Sequence, residues 1–194
     1  MSPIDRMTAR HRPVLAGWGD VARTMASDLR GVSAIEFALV LPFLLATYFG
    51  VIELVQTATV NGLVAQASST VTNIVTQYTT ISASTQMPDI LNAASQILAP
   101  YPSATGGIVV TCITIDGSGN ATVAWSQSLN VTAQTPGQSV TLPASLDIPN
   151  TTLILGQTSY ALPPIVDFLS LGPFQLSSSV YMSPRNSTTI NLAP

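Results

Sequence analysis

The chain has 194 residues, 46% of them hydrophobic and only 8% charged, with a formal net charge of −3 and no lysine. That composition is too apolar for an ordinary soluble domain and leans toward the membrane or secreted classes. It also excludes function classes: after Gly31 one arginine stands against six carboxylates, which repels nucleic acid, while a single cysteine (Cys112) and a single histidine (His11) leave no disulfide and no Cys/His zinc site.

Residues 1–31 form a basic leader. Arg6, Arg10, Arg12, Arg23 and Arg30 precede the first apolar run, and only Arg185 follows it. Basic residues are retained on the cytoplasmic side of a span, so the N-terminus is expected inside and the C-terminal portion outside.

The run itself carries no formal charge from Phe37 to Ile52. With its flanks, residues 32–55, it reaches the ~20 residues that cross a hydrocarbon core. Glu36 stands near its inner edge and Glu53 near its outer edge, and both can snorkel toward an interface. A carboxylate inside such a helix costs roughly 2.5–3.5 kcal/mol at the centre, so Glu36 calls for a reason. Pro42 removes a backbone donor and predicts a kink or a loosened turn, although transmembrane helices tolerate proline for more general reasons too.

Three readings of this N-terminus compete. A plain uncleaved anchor leaves Gly31, Glu36 and Pro42 without a role. A secretory signal peptide finds a small-x-small pattern at Ala65–Ala67, which would make Ser68 the first mature residue, but the pattern lies well past the apolar run and Glu53 interrupts the approach. In the third reading a peptidase at the cytoplasmic face cuts between Gly31 and Val32, and Glu36 becomes the fifth mature residue.

On that third reading the segment Ala34–Leu54, "AIEFALVLPFLLATYFGVIEL", resembles the TadE-like minor pilins, or pseudopilins, of the tight-adherence (Tad/Flp) pilus, with a class III prepilin signal. Gly31, Glu36, Phe37, Ala38, Leu39, Val40, Leu41, Pro42 and Glu53 occupy the family's characteristic places. A fainter similarity runs through "TSYALPPIVDFL" (158–169) and "LSSSVYMSPR" (176–185), and none lies between.

The resemblance implies cleavage at Gly31–Val32 by a prepilin peptidase. It further implies that Glu36, with Phe37 beside it, pairs with the Val32 amine of a docked subunit and sets the axial register. Elementary electrostatics supports such a pair: an α-amino group is largely protonated at neutral pH, and opposite charges in a low dielectric offset part of each other's desolvation. A bare snorkelling carboxylate is the simpler account of Glu36 taken alone. Implied partners are the peptidase, sister pseudopilins, the major pilin and the pilus secretion machinery of the inner membrane.

Beyond the span, Val60, Leu63, Val64, Ala67, Val71, Ile74, Val75 and Tyr78 recur at steps of three and four, predicting a helix over 56–80 whose apolar stripe is core. Joined to the span from about Ser33, it would be roughly 70 Å long. A short helix is expected over 88–98, with Pro88 and Asp89 in its first turn. Strands are expected near 107–115, 121–129, 152–162 and 174–182; the first two are joined by the turn "DGSGN". Asp116, Ser118 and Asn120 there have the spacing that opens a calcium loop, but no acidic ligand follows, and turn chemistry explains them. Residues 132–151 read as a polar loop.

The expected fold class is α+β: a long N-terminal helix, half span and half extracytoplasmic, packed on a small antiparallel sheet of about four strands, with residues 56–194 forming the outer domain. Asp89, Asp116, Asp147 and Asp167 are scattered among a helix start, a turn and two loops, so no catalytic constellation assembles, and neither an enzyme nor a cofactor is expected. The favoured reading is a minor pilin in the bacterial inner membrane, N-terminus in and C-terminal domain periplasmic, passing into the extracellular pilus on assembly. The alternative is a stationary single-pass protein with an extracytoplasmic binding domain.

Overall fold

The computed structural model describes residues 29–165 and 172–194, and the side chains of all of these but the first four. Most of the expected leader, and Asp167 in the expected linker, lie outside the described residues. The chain divides into two compact units, residues 1–50 and 51–194.

In the first unit the described chain is helical throughout, and every side chain from Ser33 to Gly50 is exposed. It is the start of α1, Leu29–Val75, which continues through Pro42 and on into the second unit. Its apolar window has a mean hydropathy of 2.1 and none of it is buried, so α1 is the one described helix long and apolar enough to cross a membrane.

The second unit packs the rest of α1 against a four-stranded antiparallel sheet of β2 (Gly106–Ile115), β3 (Ala121–Leu129), β4 (Thr152–Leu162) and β5 (Phe174–Met182). The strand order is β3-β2-β4-β5. Two short strands, β1 (Thr80–Ser82) and β6 (Asn191–Ala193), form a separate parallel pair, and α2 (Gln86–Gln96) lies between β1 and β2 in sequence.

Strand alternation decides which side chains meet α1. Ile108, Val110, Cys112, Trp125 and Ile154 join Val71 and Val75 of α1, Ile81 and the apolar face of α2 in one buried cluster. Val60, Val64 and Ala67 meet Leu98, Tyr160 and Leu162 in a second. The opposite sheet face buries Ile113, Ile115, Leu153 and Leu155 under Val140, Leu142 and Leu146 of the long connection. The side chain of every second strand residue thus enters one layer and the intervening ones the other. The expected apolar stripe of α1 is core: Val60, Val64, Ala67, Val71 and Val75 are fully buried.

Close approach of α1 to the sheet needs Gly156. A Cβ there would overlap Thr72 Oγ1 and come within 3.0 Å of the Ser68 carbonyl. In the space the missing side chain leaves, Ser68 Oγ donates to the Gly156 carbonyl at 2.8 Å, and Thr72 Oγ1 donates back to the Ser68 carbonyl at 2.6 Å.

Some boundaries differ from expectation. The helix expected over 56–80 stops at Val75, because the β-branched run Thr79-Thr80-Ile81 favours extended backbone and pairs with β6, Thr80 opposite Asn191. The freed carbonyls at its end are satisfied from far along the chain: Arg185 N donates to the Thr76 carbonyl at 2.9 Å and Asn186 Nδ2 to that of Gln77 at 2.7 Å. The helix expected over 88–98 starts and ends two residues earlier, at Gln86 and Gln96, with Asp89 in its first turn. β2, expected near 107–115, starts one residue earlier, and β3, β4 and β5 match the expected ranges.

Candidate functional site

The expected site residues lie on the first two turns of α1 and the turns that follow. Val32 and Glu36 are four residues apart on one continuous helix, and a separation of four places two positions on the same face, one turn apart. Around Glu36 the helix presents Ile35 (65% exposed), Phe37 (60%), Leu39 (67%) and Phe43 (75%). A surface this apolar and this bare is stable only in lipid or against other helices.

The threonine hydroxyl within the run is satisfied locally. Thr47 Oγ1 donates to the Phe43 carbonyl one turn back at 2.8 Å, as hydroxyls in a bilayer must. Glu36 makes no ion pair or hydrogen bond among the described residues. Pro42, in the middle of the run, takes the amide donor away from one turn of the ladder while the helix continues on both sides.

Glu53, at the outer end of the run, is bound to the fold. Its Oε2 accepts a hydrogen bond from the backbone N–H of Ile165 at 3.0 Å, tying the connection between β4 and β5 to α1. Its second oxygen, Oε1, and Oε1 of Gln56 three residues on are buried without a partner. Sequence reading placed Glu53 as a snorkelling edge residue and as one of the positions that carry the family resemblance, and pointed to no partner for it. The one local signal of a fixed connection was Pro163–Pro164, which points to no particular partner.

In the outer unit the Asp116 carboxylate is held within a turn. Asp116 Oδ1 accepts from the amides of Ser118 (2.8 Å) and Asn120 (2.9 Å), and Oδ2 from Asn120 Nδ2 (3.0 Å), while Gly119 takes φ +83°. The Asn120 side chain, with those two amides, holds the Asp116 carboxyl below the usual carboxylate range. These are the bonds of a β2–β3 turn.

A cleft of about 460 Å³ opens between Cys112, Thr114, Ala124 and Trp125 on the sheet and Thr189–Leu192 of the C-terminal segment. It has no carboxylate, amine or imidazole in its lining. Burial pushes the Cys112 thiol up to about 11, against a partial opposing effect of the Ile190 backbone, so it is a poor nucleophile. Among the described residues no group of three or more His, Cys, Asp or Glu side chains can hold a metal ion.

Fold and helix together define a membrane-spanning protein: an N-terminal helix, bare and apolar at its start, whose later part packs in an α+β domain. Residues 31–73 match the family model of TadE-like proteins, so the chain carries a TadE-like domain that begins at Gly31 and covers almost all of α1. No curated protein and no solved structure matches the chain.

Proposed function

We propose that this protein is a minor pilin, or pseudopilin, of a Tad/Flp-type pilus that serves surface adherence, and that it takes part in assembly, priming or capping of the filament. The observation that carries the reading is the TadE-like match beginning at Gly31, with Glu36 one helical turn from Val32 on a bare apolar helix. The chain is inserted with its N-terminus in the cytoplasm and its α+β domain in the periplasm, in keeping with five arginines before the span and one after it. A prepilin peptidase removes the leader between Gly31 and Val32. Glu36 then receives the new amine of a neighbouring subunit, with Phe37 packing beside it, and Pro42 supplies a weak turn at which the helix adapts on leaving the bilayer. Its partners are the peptidase, sister pseudopilins, the major pilin and the secretion machinery. No catalytic role is assigned.

Burial argues against the competing cleavage after Ala67. That cut would strip Val60, Val64 and Ala67 from the core and make Ser68, which holds Gly156, a chain end.

Two measurements test the proposal. N-terminal sequencing of membrane-extracted protein is expected to start at Val32; a start at Met1 marks a stationary anchor and a start at Ser68 a secretory signal, and either overturns the reading. Glu36→Ala leaves the leader, Gly31 and the apolar run intact, so processing is expected to continue. Assembly is expected to fail, because leaving one member of a buried pair unpartnered costs about 3–5 kcal/mol. Normal piliation and unchanged co-purification with sister pilins would make Glu36 a snorkelling residue only.

A further inference from the structure

We infer that the connection between β4 and β5, at Pro163–Ile165, is a second membrane contact: it lies on the outer lipid interface and Glu53 holds it there. The inference rests on α1 spanning the membrane and is independent of the pilus reading.

Glu53 ends the charge-free run that starts at Phe37, so in an inserted chain its carboxylate stands at the level of the outer headgroups. Ile165 N is 3.0 Å from that carboxylate, which fixes the connection at the same level. Beside this point two apolar side chains are uncovered within the outer unit: Leu54, next along the helix from Glu53, is 70% exposed and Ile165 52%. Leu54 belongs to the helix that carries the apolar run, so Ile165 adds an apolar side chain at the level where that run ends.

No charged side chain occurs from Leu54 to Gln86, and in the connection from Pro163 to Pro173 the one charged residue is Asp167. One oxygen of the Glu53 carboxylate is taken by the backbone amide of Ile165, which anchors the connection, while the other is buried without a partner.

The test places an environment-sensitive fluorophore on Ile165→Cys in the full chain in phospholipid nanodiscs, where native Cys112 is buried and does not compete for label. Ser118→Cys, in the exposed β2–β3 turn, serves as the control. It lies at the other end of β2 and β4 from Leu162, since Thr114 pairs with Thr152 and Gly106 with Tyr160, roughly 30 Å away along the strands. Blue-shifted emission at 165, with several-fold stronger quenching by headgroup-level spin-labelled lipid than at 118, is expected. Water-like emission without lipid quenching at 165 overturns the inference, as does a blue shift that spin-labelled lipid leaves unquenched, because the apolar neighbour is then protein. Glu53→Ala is expected to lose most of the quenching at 165 with the domain still folded by Trp125 fluorescence, and Glu53→Gln, which keeps an acceptor oxygen, to retain it. Full quenching in Glu53→Ala overturns the anchoring role of the carboxylate.

Discussion

Gly156→Ala isolates the contact that seats the outer half of α1 on the sheet. The added methyl overlaps Thr72 Oγ1, and that hydroxyl cannot simply rotate away, because it is held at 2.6 Å on the Ser68 carbonyl. Nor can the helix back off freely, because Ser68 Oγ donates to the Gly156 carbonyl at 2.8 Å in a buried site. Overpacking of one methyl in a filled core costs about 1–3 kcal/mol, and loss of one of the two hydroxyl bonds adds about 1 kcal/mol. Replacing glycine by alanine returns about 0.4–1 kcal/mol through the unfolded chain. The net expectation is destabilisation by about 2 kcal/mol, which at about 2–4 °C per kcal/mol for a chain of this size lowers Tm by about 4–8 °C. Thermal unfolding of the full chain in nanodiscs, followed by the fluorescence of buried Trp125, measures it. Thr72→Ala in the same chain makes room for the methyl, so the double variant should melt closer to Thr72→Ala alone than additivity predicts. A Gly156→Ala protein as stable as wild type, or strictly additive effects, would refute the account of this packing.

Three further outcomes are expected. The Cys112 thiol has an ordinary value of 9.0 and is raised by burial to about 11, so the folded state holds its proton more tightly than the unfolded one; stability gained below pH 9 should be lost at up to about 1.4 kcal/mol per pH unit as pH rises from 9 to about 11, and Cys112→Ala should flatten this slope in pH-dependent melts. Trp125→Phe removes the 2.7 Å bond from Nε1 to the Ile190 carbonyl and leaves that buried acceptor unpaired, which should cost about 1–3 kcal/mol and show as faster amide exchange in β6 and its partner β1. Asn186→Ala leaves the Gln77 carbonyl at the end of α1 without its side-chain donor, and about 1 kcal/mol of destabilisation, read as fraying of the last helical turn by amide exchange, is expected.

Local chemistry made much of this protein legible without coordinates. Lipid sorts side chains by hydropathy alone, so the apolar run, Glu36 and Pro42 were visible as a sequence pattern, and the α1 stripe from Val60 to Val75 followed from its period. The ranges of β3, β4 and β5 were equally plain, since β-rich runs bounded by Gly, Pro and Asn leave little freedom in where a strand stops. Contacts between residues distant in sequence were not legible. Nothing near Thr79–Ser82 announces that three C-terminal residues will pair with them, and without that partner the 56–80 pattern reads as unbroken helix. Nothing near Gly156 announces Thr72, and nothing near Glu53 announces the amide of Ile165. Each of these joins a backbone donor or acceptor, or the space beside a glycine, to a group far away in sequence, and such partners meet only when the chain is folded.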